Sequence, residues 1–264
     1  MVNLGSVWDR TTDFLRDKSA SVLSIAAGGI FVPLALFGIL MPMTGAEATP
    51  ADWGIAAILL VLGAVAILGN LALTALVIDP AADMRGALRA ALARLPAALL
   101  VAVAGFVAAA LAIAPIYAAF VMGGGTEDTA PAFGAALFVL VYALLLVVAG
   151  LVLTARLLLV YPALVAEGIG LAAIPRSLRL TARMTLKLVG VVILYVVVSQ
   201  VADLAARTVF GVLLGLTAPP ATATVLTAII LALVQTGFSA FATVFIARLF
   251  LAVRDMRETI VELS

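Results

Sequence analysis

Six separate stretches of this chain are apolar enough, and long enough, to cross a lipid bilayer. That limits its fold more than any other feature. A membrane-spanning helix needs about 20 mostly apolar residues to cover the hydrocarbon. The runs expected to be helical are residues 22–41, 55–78, 96–122, 131–160, 186–216 and 223–253. Composition agrees: the 264 residues are 66% hydrophobic and 11% charged, with a mean hydropathy of +1.30. A soluble domain is about half apolar and a quarter charged, so an excess of this size needs lipid as its solvent. The expected fold class is all-α, one integral membrane domain forming a polytopic bundle of about six helices. Several runs exceed the minimum, which implies tilt or extension beyond the bilayer.

The connections between the runs decide orientation. The N-terminal segment carries Arg10, Arg16 and Lys18. The first connection carries Glu47 and Asp52 and no base. The second carries Arg85, Arg89 and Arg94, and the third Glu127 and Asp128 without a base. The fourth has Arg176, Arg179, Arg183 and Lys187. The fifth, around Thr217 to Thr224, is uncharged, and the C-terminus has Arg254 and Arg257. Basic and non-basic connections alternate throughout, as an even number of spans requires. The positive-inside rule then puts both termini in the cytoplasm, with the inner membrane of a bacterial cell as the expected location.

Residues 1–20 are expected to form an amphipathic segment. Leu4, Val7, Trp8, Thr11, Phe14 and Leu15 recur at helical spacing, with Asp9, Arg10, Asp13, Arg16 and Asp17 elsewhere on the circle. Such a helix lies on the membrane surface with Trp8 at headgroup depth, or packs on the protein itself. Ala46 and Ala48 have the spacing of a signal-peptidase site. The length of the preceding apolar run, and the acids Asp9, Asp13 and Asp17 before it, favour an uncleaved first helix.

The chain has no cysteine and no histidine. Disulfides, thiolate nucleophiles, Cys/His zinc sites and His general bases are therefore excluded. No phosphate-binding glycine loop occurs, and Gly123–Gly125 is followed by acids, which suits a turn. Neither a catalytic set, a metal nor a cofactor is expected, and nucleic acid is not an expected partner.

Several segments resemble one another. Ala75–Pro80 is similar to Ala163–Gly168: each has an acid after the apolar run, then a helix breaker, then a basic helix. Thr154–Leu159 is similar to Ile246–Leu251, each with an arginine at its third position. The simplest account is three helical hairpins that start and end on the same side, with short amphipathic cytoplasmic helices between them. Chance similarity in a chain rich in Ala, Leu and Val is the alternative.

Charges within a membrane are costly, so those near the apolar runs are the candidate site residues. Asp203 and Arg207 are four apart and share a helix face. They are read as an anion- or lipid-binding point, or as a structural ion pair. Arg156, near the inner end of the fourth run, and the stripe Arg176, Arg179, Arg183 and Lys187 are candidates for anionic lipid. The same bases also serve topology. Arg248 lies near the inner end of the sixth run. Asn70, Gln200 and Gln235 are expected to bond across helices, and Gly211 and Gly215 to permit close helix approach.

The segment from Arg156 through Pro162, Glu167-Gly168 and Ala173-Ile174-Pro175-Arg176-Ser177-Leu178-Arg179-Leu180-Thr181 resembles the membrane domain of bacterial glycerophosphodiester phosphodiesterases. It also resembles the stand-alone six-span proteins of that superfamily. The ending Arg254-Asp255-Met256-Arg257 is similar to theirs. Pro175 stands where that family favours a basic or aliphatic residue, and Leu178 where it favours an aromatic. No segment remains for the catalytic barrel, so the resemblance implies a membrane module without hydrolase activity. A fainter likeness joins Ala81–Gly86 and Leu95-Pro96 to the coupling loop of binding-protein-dependent permeases.

The function expected is a non-catalytic multi-pass protein that binds anionic lipid or scaffolds a partner. Its partners would be membrane lipids, with a partner protein or a second copy as alternatives. The other class is a transporter or permease subunit, which would need Asn70, Gln200, Asp203, Arg207 and Gln235 to converge on one cavity.

Overall fold

The computed structural model describes residues 3–41, 50–126, 129–182 and 184–262. Ala46, Glu47, Ala48, Glu127, Asp128 and Arg183, and the side chain of Arg257, lie outside the described residues. The readings that rest on them, the cleavage-site spacing included, concern that undescribed part.

Among the described residues every regular element is helical. The α-helices are α1 (Leu4–Asp17), α2 (Ser19–Leu40), α3 (Pro50–Ile78), α4 (Met84–Met122), α5 (Phe133–Leu157), α6 (Val160–Glu167), α7 (Ala173–Thr181), α8 (Thr185–Thr217) and α9 (Pro220–Glu262). Six helical segments are long and apolar enough to cross a membrane: α2, α3, α4, α5 continued by α6, α8 and α9. The chain is a multi-pass helical membrane protein.

Local chemistry sets the helix ends. The side chain of Asn3 accepts the Gly5 N–H at 3.0 Å and caps α1. Asp83 caps α4 in the same way, accepting the Gly86 N–H at 2.7 Å. Each cap satisfies one of the four N–H groups that a helix start leaves open. Within α2, Pro33 has no N–H for the carbonyl of Gly29, and Ala27–Phe31 widen into a π turn.

Two boundaries differ from the sequence reading. The bases Arg85, Arg89 and Arg94 do not form a separate helix before a span starting at 96; they occupy the first turns of the continuous α4. Pro96 and Pro115 both sit inside it, as membrane helices tolerate when neighbours satisfy the freed carbonyls. The fourth span, expected to run unbroken over 131–160, stops at Leu157 and restarts as α6. Pro162 then falls in the first turn of a new helix, where its missing N–H costs nothing.

Each span packs on the next, α2 on α3, α3 on α4, α4 on α5, α5 on α8 and α8 on α9, so the contacts do not divide the bundle into three separate hairpins. Helix α9 also lies against α1, α2 and α3, while α6 sits among α3, α4 and α9. Of the sequence-similar segments, Ala75–Pro80 and Ala163–Gly168 both fall where a helix ends, whereas Thr154–Leu159 spans the break in the fourth span and Ile246–Leu251 lies within the continuous α9. The buried core gathers toward the basic end. It includes Leu71, Leu73, Leu76 and Val77 of α3, Ala87 and Ala91 of α4, Leu159 and Leu164, and Val244, Leu249 and Phe250 of α9. No described residue between Ala98 and Ala155 is buried. Phe106, Leu111, Phe138 and Leu144 are exposed there, an arrangement that is stable against hydrocarbon.

Candidate functional site

The bases at the end carrying α6 and α7 mostly hold the backbone together. Where α5 stops, its last carbonyls lack helical donors. The carbonyl of Arg156 accepts the hydroxyls of Ser177 at 2.7 Å and Thr181 at 3.1 Å. The Nε of Arg156 donates to Thr185 Oγ1 at 3.4 Å. Arg176 forms an ion pair with Glu167 at 2.9 Å, its Nε shared between both carboxylate oxygens at 3.1 Å. That pair ties the end of α6 to α7. Gly168 ends α6 at φ 66°, where L side chains are strained. A Cβ there would lie 2.5 Å from the guanidinium of Arg94, which covers the carbonyl-rich end of α6. Arg179 and Lys187 are also engaged in interactions.

The middle of the bundle has its own polar contact. Asn70 Oδ1 accepts the Thr243 hydroxyl at 2.7 Å and the Ser239 hydroxyl at 3.4 Å, joining α3 to α9. Its Nδ2 donates to the carbonyl of Ala66 at 2.9 Å. Asn70, Thr74, Tyr161 and Thr243 line a cavity of about 230 Å³ beside the break in the fourth span. Sequence reading singled out Asn70. Its hydroxyl partners lie 169 and 173 positions away, beyond the reach of any local pattern.

Toward the other end, Asp203 and Arg207 meet as their spacing requires, with Nε to Oδ2 at 2.7 Å. The second oxygen of Asp203 accepts Gln235 Nε2 of α9 at 3.2 Å. The Asp203 side chain is 13% exposed and the Arg207 side chain 60% exposed. One group of the guanidinium thus neutralises a buried carboxylate, and the rest of its N–H groups remain for other acceptors. Arg207, Gly211 and Gln235, with Leu34, Phe37 and Gly38 of α2, line a groove of about 510 Å³ between α2, α8 and α9. The absence of a side chain at Gly211 widens it. Along α8, Arg207 stands about 30 Å from Lys187, the thickness of the hydrocarbon.

The glycines fall differently from expectation. Nothing lies within 4 Å of where a Cβ would stand at Gly211 or Gly215. The close backbone approach is instead between Gly29 of α2 and Gly69 of α3, where an added Cβ would come within 2.6 Å of the facing backbone. Gln200 is exposed on α8 and lines neither cavity. Asn70 and the Asp203–Arg207–Gln235 set open onto separate cavities, so the five polar residues do not share one path. Comparison with family models, curated proteins and solved structures yields no match for this chain.

Proposed function

We propose that this protein is a non-catalytic, multi-pass module of a bacterial inner membrane that binds the phosphate headgroup of a membrane lipid in the groove at Arg207. The alternation of basic and non-basic connections puts the α6–α7 end in the cytoplasm and the groove in the opposite leaflet. The observation that carries the reading is a guanidinium held by a buried carboxylate yet 60% exposed in an apolar-walled groove. A phosphate accepts two parallel N–H bonds from such a fork. The apolar wall formed by Leu34 and Phe37 suits the start of an acyl chain. Asp203 offsets the charge of Arg207, so the site selects the phosphate more than the net charge of the lipid. The likeness of Arg156–Thr181 to the membrane domain of bacterial glycerophosphodiester phosphodiesterases supports a membrane module.

The test is native mass spectrometry of the protein released with its own lipids. Wild type is compared with Arg207→Gln, with Asp203→Asn/Arg207→Gln, and with Arg176→Ala/Arg179→Ala. The double variant removes the guanidinium without stranding a carboxylate. Loss of one retained phospholipid in both Arg207 variants, with retention in Arg176→Ala/Arg179→Ala, is the expected result. Unchanged adducts in the Arg207 variants would defeat the proposal, and a co-purifying protein in place of lipid would favour a scaffold.

A further inference from the structure

A second cationic feature lies at the basic end of the bundle, further along α9 from the groove, where α1 packs on α9. Phe14 of α1 is buried, and the guanidinium carbon of Arg248 stands 4.8 Å from its ring centroid. Arg10 is four residues before Phe14, on the same face of α1. Arg10 therefore stands one helical turn from the ring that carries Arg248, on the helix that packs against α9. The Nε of Arg248 is buried without a hydrogen-bond partner. The acids of α1, Asp9, Asp13 and Asp17, are exposed. Among the described residues none of them is ion-paired to Arg10 or Arg248.

Two guanidiniums of like sign, one with a buried and unused donor, make a costly arrangement when nothing lies between them. Arg176 and Arg207 each meet a carboxylate, and Arg156 a hydroxyl. The pair on α1 and α9 lacks one. The aromatic ring beneath Arg248 fixes the guanidinium in place. Trp8, two residues before Arg10 on the same helix, is 52% exposed and stands 4.7 Å from Phe241, which places it to rest at the headgroup boundary.

We propose that Arg10 and Arg248 together form a second anion site, which takes the phosphate of an anionic phospholipid from the leaflet at the basic end and clamps α1 against α9. It differs from the groove at Arg207 in one chemical respect. Among the described residues no carboxylate is paired with it, so it discriminates in favour of net negative headgroups. The proposal does not depend on the groove.

The experiment uses the full chain in nanodiscs made either of phosphatidylcholine alone or of phosphatidylcholine with phosphatidylglycerol. Native mass spectrometry counts the phosphatidylglycerol retained by wild type, Arg10→Gln, Arg248→Gln and Arg89→Gln, with helicity checked by circular dichroism. Each lost base near a membrane surface weakens anionic-lipid binding about fivefold. Wild type and Arg89→Gln, whose base lies on α4 outside the α1–α9 contact, are expected to keep a phosphatidylglycerol that Arg10→Gln and Arg248→Gln lose at equal lipid content. If Arg248→Gln does not fold, Arg10→Gln alone decides, because Arg10 is exposed. Displacement of the retained lipid by millimolar inorganic phosphate would mean that the site takes free phosphate rather than a headgroup, and would overturn the lipid assignment. Equal phosphatidylglycerol retention by all four proteins would overturn the site itself.

Discussion

Asn70 shows how much one amide does in a span that is otherwise apolar. Its oxygen takes two hydroxyls from α9 and its nitrogen a carbonyl of its own helix. Cross-helix bonds of this kind contribute about 0.6–2 kcal/mol in membranes, because the separated helices also find partners. Asn70→Leu is expected to lower stability by about 1–2 kcal/mol while leaving the helix count intact. Reversible unfolding in mixed micelles, followed by circular dichroism, would measure it. A variant as stable as wild type would show that the Thr243 and Ser239 hydroxyls are satisfied as well without it. The Asp203–Arg207 contact was legible from spacing alone, since positions four apart meet on a helix. Gln235, which completes that set from 32 positions away, was legible only as an amide in an apolar run. Its partner depends on how α8 and α9 pack.

At the scale of the elements, apolar length and basic caps were enough to locate the spans, and their starts moved by only a few residues except at α4. What could not be read was which proline interrupts a helix. Pro96 and Pro162 both follow apolar residues. The outcome differs because Ser177 and Thr181 of α7 are placed to accept the role of donors to the carbonyl of Arg156, which makes a break there affordable. Glycine spacing misled for a similar reason: Gly211 and Gly215 match a packing motif but face open space, whereas Gly29 and Gly69 meet with no motif in common. This contrast predicts opposite signs. Gly69→Ala forces two backbones apart and is expected to lower the melting temperature of the detergent-solubilised protein. Gly215→Ala meets nothing, and is expected to raise stability by about 0.5–1 kcal/mol through helix propensity. Equal effects at both positions would show that the α2–α3 crossing is not as close as described.

For the whole molecule, the account rests on six crossings with every basic connection on one side. The chain has no native cysteine, so single cysteines report topology without background. Ser6 and Arg89 are exposed at the basic end, and Ala130 and Thr217 at the other. The deciding measurement is labelling of Ser6→Cys, Arg89→Cys, Ala130→Cys and Thr217→Cys by a membrane-impermeant maleimide in intact cells, then after permeabilisation. The account predicts that Ala130→Cys and Thr217→Cys label in intact cells and that Ser6→Cys and Arg89→Cys label only once the membrane is opened. Labelling of a cysteine from each end in intact cells would contradict the six-span topology, and with it the leaflet assigned to both lipid sites.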